Sequence, residues 1–188
     1  IPLTIAAGFW LTDQSALADW IDRVFGPRKY YLISLVIVLY ALLPFFMAFE
    51  GRKPEVRELV VLATMIALAT AGRAAFFMTP SFKPIIAIVI ISAIAFGAET
   101  GFLVGSMTML VSNFLFGQGP WTPWQMFAMG FIGFLSGILY RLRILPTKRL
   151  QLSVYGFLVT FMIYGGIMNP AALFMSVYQF SWSGLLAI

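Results

Sequence analysis

Within eight consecutive positions, 118–125, the chain places Gln118, Trp121, Thr122, Trp124 and Gln125, interleaved with Gly119, Pro120 and Pro123. Glycine and proline set the backbone of such a segment. The two indoles offer flat apolar faces with one N–H each, and the two amides offer paired donors and acceptors. This set suits a pocket for a large, uncharged, amide-bearing ligand. A single Trp at a membrane surface is ordinarily a belt residue, but a belt does not call for Gln, Gly and Pro around it. Tyr164 and Asn169 could add polar contacts from the same side.

Two charged residues stand where charge is costly. Arg73 is the one basic residue inside an apolar span, and two readings stand: it snorkels from the helix end, or it holds an anionic or amide-rich ligand. Glu99 is the only acid after Glu58. It follows Gly97 at an expected helix start, where a carboxylate complements the helix N-terminus.

The absences are as informative. The chain contains no His and no Cys, which excludes a thiol nucleophile, a disulfide framework, His-ligated haem and a Cys/His zinc site. No metal site and no resident cofactor are expected. There is no phosphate-binding G-x-x-x-x-G-K-[ST] segment, so no ATP hydrolysis through a P-loop is expected.

Small residues form a further pattern. Ala63, Ala67 and Ala71 recur every four positions and share one helix face. Gly97, Gly101 and Gly105 repeat this spacing, as do Gly133 and Gly137. Such faces let helices approach closely in lipid. The alanine stripe has no large residue to interlock, so it suits a partner helix that docks and releases.

The elements that must position these residues are membrane helices. Of the 188 residues 61% are hydrophobic and 10% charged, against about half and a quarter in a soluble domain. Continuous apolar runs without alternation exclude a membrane barrel. Spans are predicted over residues 30–49 (with Pro44 as a kink), 59–78, 100–116, 124–140 and 152–168. A short apolar piece covers 85–96. Residues 12–29 suggest an interfacial helix, and Asn169–Pro170 is expected to break the chain before an amphipathic piece over 171–182. Both ends lie inside apolar runs, so the chain reads as cut at both, with 1–11 the end of one helix and 183–188 the start of another segment. Arg52, Lys53, Arg57, Arg141, Arg143, Lys148 and Arg149 fall on one side, against Arg23, Arg28, Lys29 and Lys83 on the other. The first side is expected to be cytoplasmic. Nucleic acid is not an expected partner: the basic residues sit at segment ends.

The run from Glu58 to Tyr140 resembles the substrate-binding S component of energy-coupling factor (ECF) transporters. The matching pieces are Glu58-Leu59-Val60-Val61, the alanine stripe ending in Ala71-Gly72-Arg73-Ala74-Ala75-Phe76-Phe77, Phe82-Lys83-Pro84, Gly97 to Gly105, and the Phe116–Met126 segment. Within the family the chain is most similar to the subgroup linked to cobalamin uptake.

The resemblance implies an all-α membrane protein with a six-helix core, assigned to residues 58–188 with the last helix missing. It would be preceded over 1–57 by extra N-terminal membrane helices and the interfacial segment. It implies a non-enzymatic subunit of an ABC-type importer in a prokaryotic plasma membrane. The subunit would capture a vitamin, cobalamin above all, on the outer face. It would release the vitamin inward with a transmembrane coupling subunit and two ATPases. Carried onto this chain, the pocket would involve Arg73, Phe76, Phe77, Gln118, Trp121, Thr122, Trp124, Gln125, Tyr164 and Asn169. Ala63, Ala67 and Ala71 would dock the coupling subunit. Another vitamin, an intramembrane enzyme and a structural scaffold are the competing readings; few acids and no His or Cys weigh against the enzyme.

Overall fold

The computed structural model describes residues 29–51, 54–79, 84–145 and 148–176. The expectations for 1–11, 12–28, 177–182 and 183–188 lie outside the described residues, as does most of the turn at 80–83. Among the described residues every regular element is helical: α1 (Lys29–Gly51), α2 (Val56–Ala75), α3 (Ile85–Phe96), α4 (Ala98–Phe116), α5 (Thr122–Arg141), α6 (Arg149–Val159), a π-helical stretch (Thr160–Gly165) and α7 (Gly166–Ser176). The last three run on without a gap as one rod.

Three of these are long and apolar enough to cross a membrane: α2, α5 and the rod over Arg149–Ala172. The chain is an all-α membrane protein. α4, at 19 residues, carries Glu99, Ser106, Thr108, Ser112 and Asn113. It tolerates these polar groups because it is the most enclosed helix, with Phe102, Val104, Ser106, Thr108 and Ser112 at 0% exposure. Lipid never meets that surface, so the polar residues need partners in protein rather than exclusion from the helix.

α3 has 12 residues, a rise of about 18 Å, short of a roughly 30 Å hydrocarbon core. Gly97 ends it at φ 98°, a backbone conformation that a side chain resists. The chain therefore reverses in one residue, and α3 and α4 lie antiparallel. Glu99 falls in the first turn of α4, as expected.

The glycine stripes serve the α4–α5 contact. A Cβ on Gly133 would overlap the Gly101 carbonyl, so the two backbones touch and their van der Waals contact replaces side-chain interlocking. Ordinary internal packing is thus the role of Gly101, Gly105, Gly133 and Gly137. The alanine stripe differs: Ala63, Ala67 and Ala71 are all exposed on α2.

α1 closes over the middle of this pair. The Phe45 ring stacks on Phe102 at 3.8 Å between centroids and meets Phe134 edge-on at 5.0 Å. Val38 and Leu42 are buried with them. Pro44 lies inside α1.

Several boundaries differ from the sequence reading: the span predicted over 59–78 ends at Ala75, and the one predicted over 152–168 begins at Arg149. The predicted span 59–78 starts earlier, at Val56, because Arg57 and Glu58 are accommodated in the exposed first turn. Asn169–Pro170 does not break the helix: Pro170 sits inside α7, just after the π-helical stretch. A π turn already displaces the backbone pairing there, so the missing proline N–H costs less than in a regular helix.

Candidate functional site

The connections gather the polar residues at one end of the bundle. α2 and α4 both point their C-termini to this end, since α3 returns between them. α5 starts there, and the rod arrives there from the opposite end.

Arg73, in the last turn of α2, reaches across to α4. Its Nη1 donates to Ser112 Oγ and to Asn113 Oδ1, the latter at 2.8 Å. Its guanidinium lies over the Phe116 ring, 5.1 Å from the centroid, and Phe77 stacks on Phe116 at 4.8 Å. Arg73 therefore turns onto α4 and does not snorkel outward. One guanidinium nitrogen donates to two acceptors while the planar group covers an aromatic face.

Asn113, 1% exposed, is the hub. Its Nδ2 donates to Thr122 Oγ1 at 3.0 Å and to Gln125 Oε1 at 2.8 Å. With Oδ1 accepting from Arg73, one amide joins α2, α4 and α5. Tyr164 brings in the fourth element: it lies beside the Gln125 side chain and within electrostatic reach of Arg73. In low dielectric such a network is worth more when complete and more costly when one member is lost.

The expected pocket residues divide. Arg73, Phe77, Thr122, Gln125 and Tyr164 come together as described. Gln118 does not present its amide: Nε2 donates to the Leu110 carbonyl at 3.2 Å and Oε1 accepts from Thr122 at 2.9 Å. It holds the short 117–121 connection onto the end of α4. Trp121 is 41% exposed, with its ring beside the Gly119 backbone. Trp124 belongs to the first turn of α5, packed against the core, and its Nε1–H is buried without a partner. Phe76 is 39% exposed at the C-cap of α2. Asn169 is exposed and lines a groove of about 680 Å³ with Tyr164, Thr160, Phe161 and Gly165. Tyr164 thus joins the groove to the hydrogen-bonded cluster.

Ser112 and Asn113 were missed in the sequence. Their signal was present: an adjacent pair of hydrogen-bonding side chains within an apolar helix, flanked by Val111 and Phe114. No cluster of three or more acids, His or Cys that could hold a metal occurs among the described residues.

A family model described as "ECF-type riboflavin transporter, S component" matches residues 53–183. The chain belongs to this family. It is an S component, the substrate-binding subunit of an ECF transporter, and not an enzyme. The match spans α2 through α7 and leaves α1 outside. It is named for riboflavin and lends no support to the cobalamin subgroup that the sequence suggested. Searches of curated proteins and of solved structures return no match.

Proposed function

We propose that this S component captures riboflavin at the end of the bundle where Arg73, Asn113, Gln125 and Tyr164 meet. It hands the vitamin inward in complex with a transmembrane coupling subunit and two ATPases in a prokaryotic plasma membrane. The observation that carries the reading is the Arg73 fork, brought inside the helices beside stacked Phe77 and Phe116. Riboflavin has a flat tricyclic ring whose edge alternates carbonyls and an N–H. The Arg73 guanidinium and the Gln125 carboxamide, both held by the buried Asn113, complement such an edge, and the aromatic pair offers its ring a face. The adjoining groove, about 680 Å³, lies in the range that encloses one small ligand, roughly 300–1,000 Å³. Cobalamin is far bulkier and stands as the competing ligand.

The test is titration of the purified chain in detergent with both vitamins, following flavin fluorescence for one and corrin absorbance for the other. Saturable riboflavin binding that Arg73→Gln weakens by roughly tenfold or more supports the reading. Cobalamin binding without riboflavin binding transfers the site to the competing ligand. Saturable riboflavin binding insensitive to Arg73→Gln moves the pocket away from the cluster.

A further inference from the structure

A second groove, about 680 Å³, runs between α3 and the rod and meets the groove beside Tyr164 at Phe157 and Thr160. Ile90 and Ile91 form one wall, and Gly156 and Phe157 the other. Thr160 lies at one end and Arg149 at the other. Ile91 and Phe157 are 52% and 69% exposed. The helices come close at Gly156, where an added Cβ would lie 3.7 Å from Ile90 Cδ1.

Length and charge together say what fits. From Arg149 to Thr160 the rod rises about 16 Å. Half of a roughly 30 Å hydrocarbon core is about 15 Å, the depth of one leaflet. The groove begins where the span Arg149–Ala172 begins, and its mouth is basic: Arg149 lines it and Lys148 precedes it, both exposed. No acid occurs anywhere after Glu99, so neither wall offers a carboxylate to offset this charge.

We infer that this groove is a binding site for one anionic phospholipid, its acyl chain along Ile90 and Phe157 and its phosphate at Lys148 and Arg149. An apolar slot one leaflet deep, open to lipid and ending in two cations, matches the anatomy of such a molecule and not that of a soluble anion. Each cation near a net-anionic headgroup strengthens binding about fivefold, and a zwitterionic headgroup of the same chain length, its phosphate offset by its own ammonium, gains much less. The site does not depend on which vitamin the protein carries.

The experiment reconstitutes the whole chain in mixed phosphatidylglycerol and phosphatidylcholine. After mild detergent extraction, native mass spectrometry reads the retained lipid. Phosphatidylglycerol should be retained over phosphatidylcholine, and Lys148→Gln with Arg149→Gln should reduce that preference by up to roughly thirtyfold. Gly156→Leu, which fills the slot, should remove bound lipid of both kinds. Arg143→Gln, in the same basic connection but not lining the groove, should leave retention unchanged. If Gly156→Leu does not fold, judged by its melting curve, Thr160→Phe fills the far end instead. Equal retention of both lipids overturns the inference. So does an equal loss in Arg143→Gln, which would mean diffuse charge, or crosslinking of Phe157→Cys to another polypeptide in the lipid-loaded protein, which would mean a protein occupant.

Discussion

Arg73 and Asn113, forty positions apart in the chain, are joined by a 2.8 Å hydrogen bond between the C-terminal turns of two parallel helices. The bond fixes the register of α2 against α4. It also points the guanidinium at the one buried carboxamide that holds α5. Substituting Asn113→Leu keeps the branching at Cγ and removes every one of these bonds. Loss of a buried partner of a charged donor costs about 1–3 kcal/mol. The melting temperature should fall, and riboflavin affinity should fall by roughly tenfold or more, because Arg73 and Gln125 lose their common anchor. A variant that melts and binds as the parent does would show the hub to be dispensable.

The two glutamines, equivalent as sequence, should separate in binding. Gln125 reaches Asn113 and Tyr164, whereas both ends of the Gln118 amide are engaged in holding the 117–121 connection. Gln125→Ala should weaken riboflavin binding by about tenfold. Gln118→Ala should lower the melting temperature and shift affinity by less than about threefold. Parallel titrations and melts of both variants decide, and a larger binding loss for Gln118→Ala reverses the assignment.

What the sequence made legible was set by period and composition. Continuous apolar runs announced α2, α5 and the rod. Gly97 announced the α3–α4 reversal, because one residue at positive φ suffices for it. Spacing alone could not sort the stripes of small residues. Gly101 and Gly133 are buried against each other while Ala63, Ala67 and Ala71 face outward, yet all recur every four positions. Nor could it show that Gln118 is occupied. A side chain's hydrogen-bond partner eight positions away depends on where α4 stops, and that is set by Gly117 and the turn to Thr122. The continuity through Pro170 was hidden because proline usually ends a helix, and the π-helical stretch that accommodates it has no simple sequence signature.

The exposed alanine face and the buried glycine face should respond oppositely to added bulk. Gly133→Ala places a methyl on the Gly101 carbonyl, so α4 and α5 must separate and the fold should be lost or strongly destabilised. Ala67→Trp adds a far larger group to an exposed position. Folding and riboflavin binding should therefore survive it. Docking of a coupling-subunit helix on this face should not, since the indole holds the helices apart. Co-purification with the coupling subunit and ATPases reads this out. Full assembly and transport by Ala67→Trp would leave the face to lipid.

Thr108 offers a test whose sign is informative. It is 0% exposed, and its hydroxyl has no hydrogen-bond partner; Thr70, 7% exposed, is in the same condition. Register puts the two near one level. Arg73 meets Ser112 and Asn113 at one end, while Glu58 and Thr100 line one pocket at the other. Parallel helices with those two anchors bring residue 70 level with about 109–111, one turn beneath the Arg73 cluster. An unpartnered buried hydroxyl costs about 1–3 kcal/mol, and valine has the same shape without it. Thr108→Val should therefore raise stability by about 1 kcal/mol and leave riboflavin affinity unchanged. Thr70→Val should act in the same direction. A drop in stability instead would mean that a buried water bridges these hydroxyls. A drop in affinity with stability preserved would mean that the bound vitamin reaches a full turn deeper between α2 and α4 than Arg73.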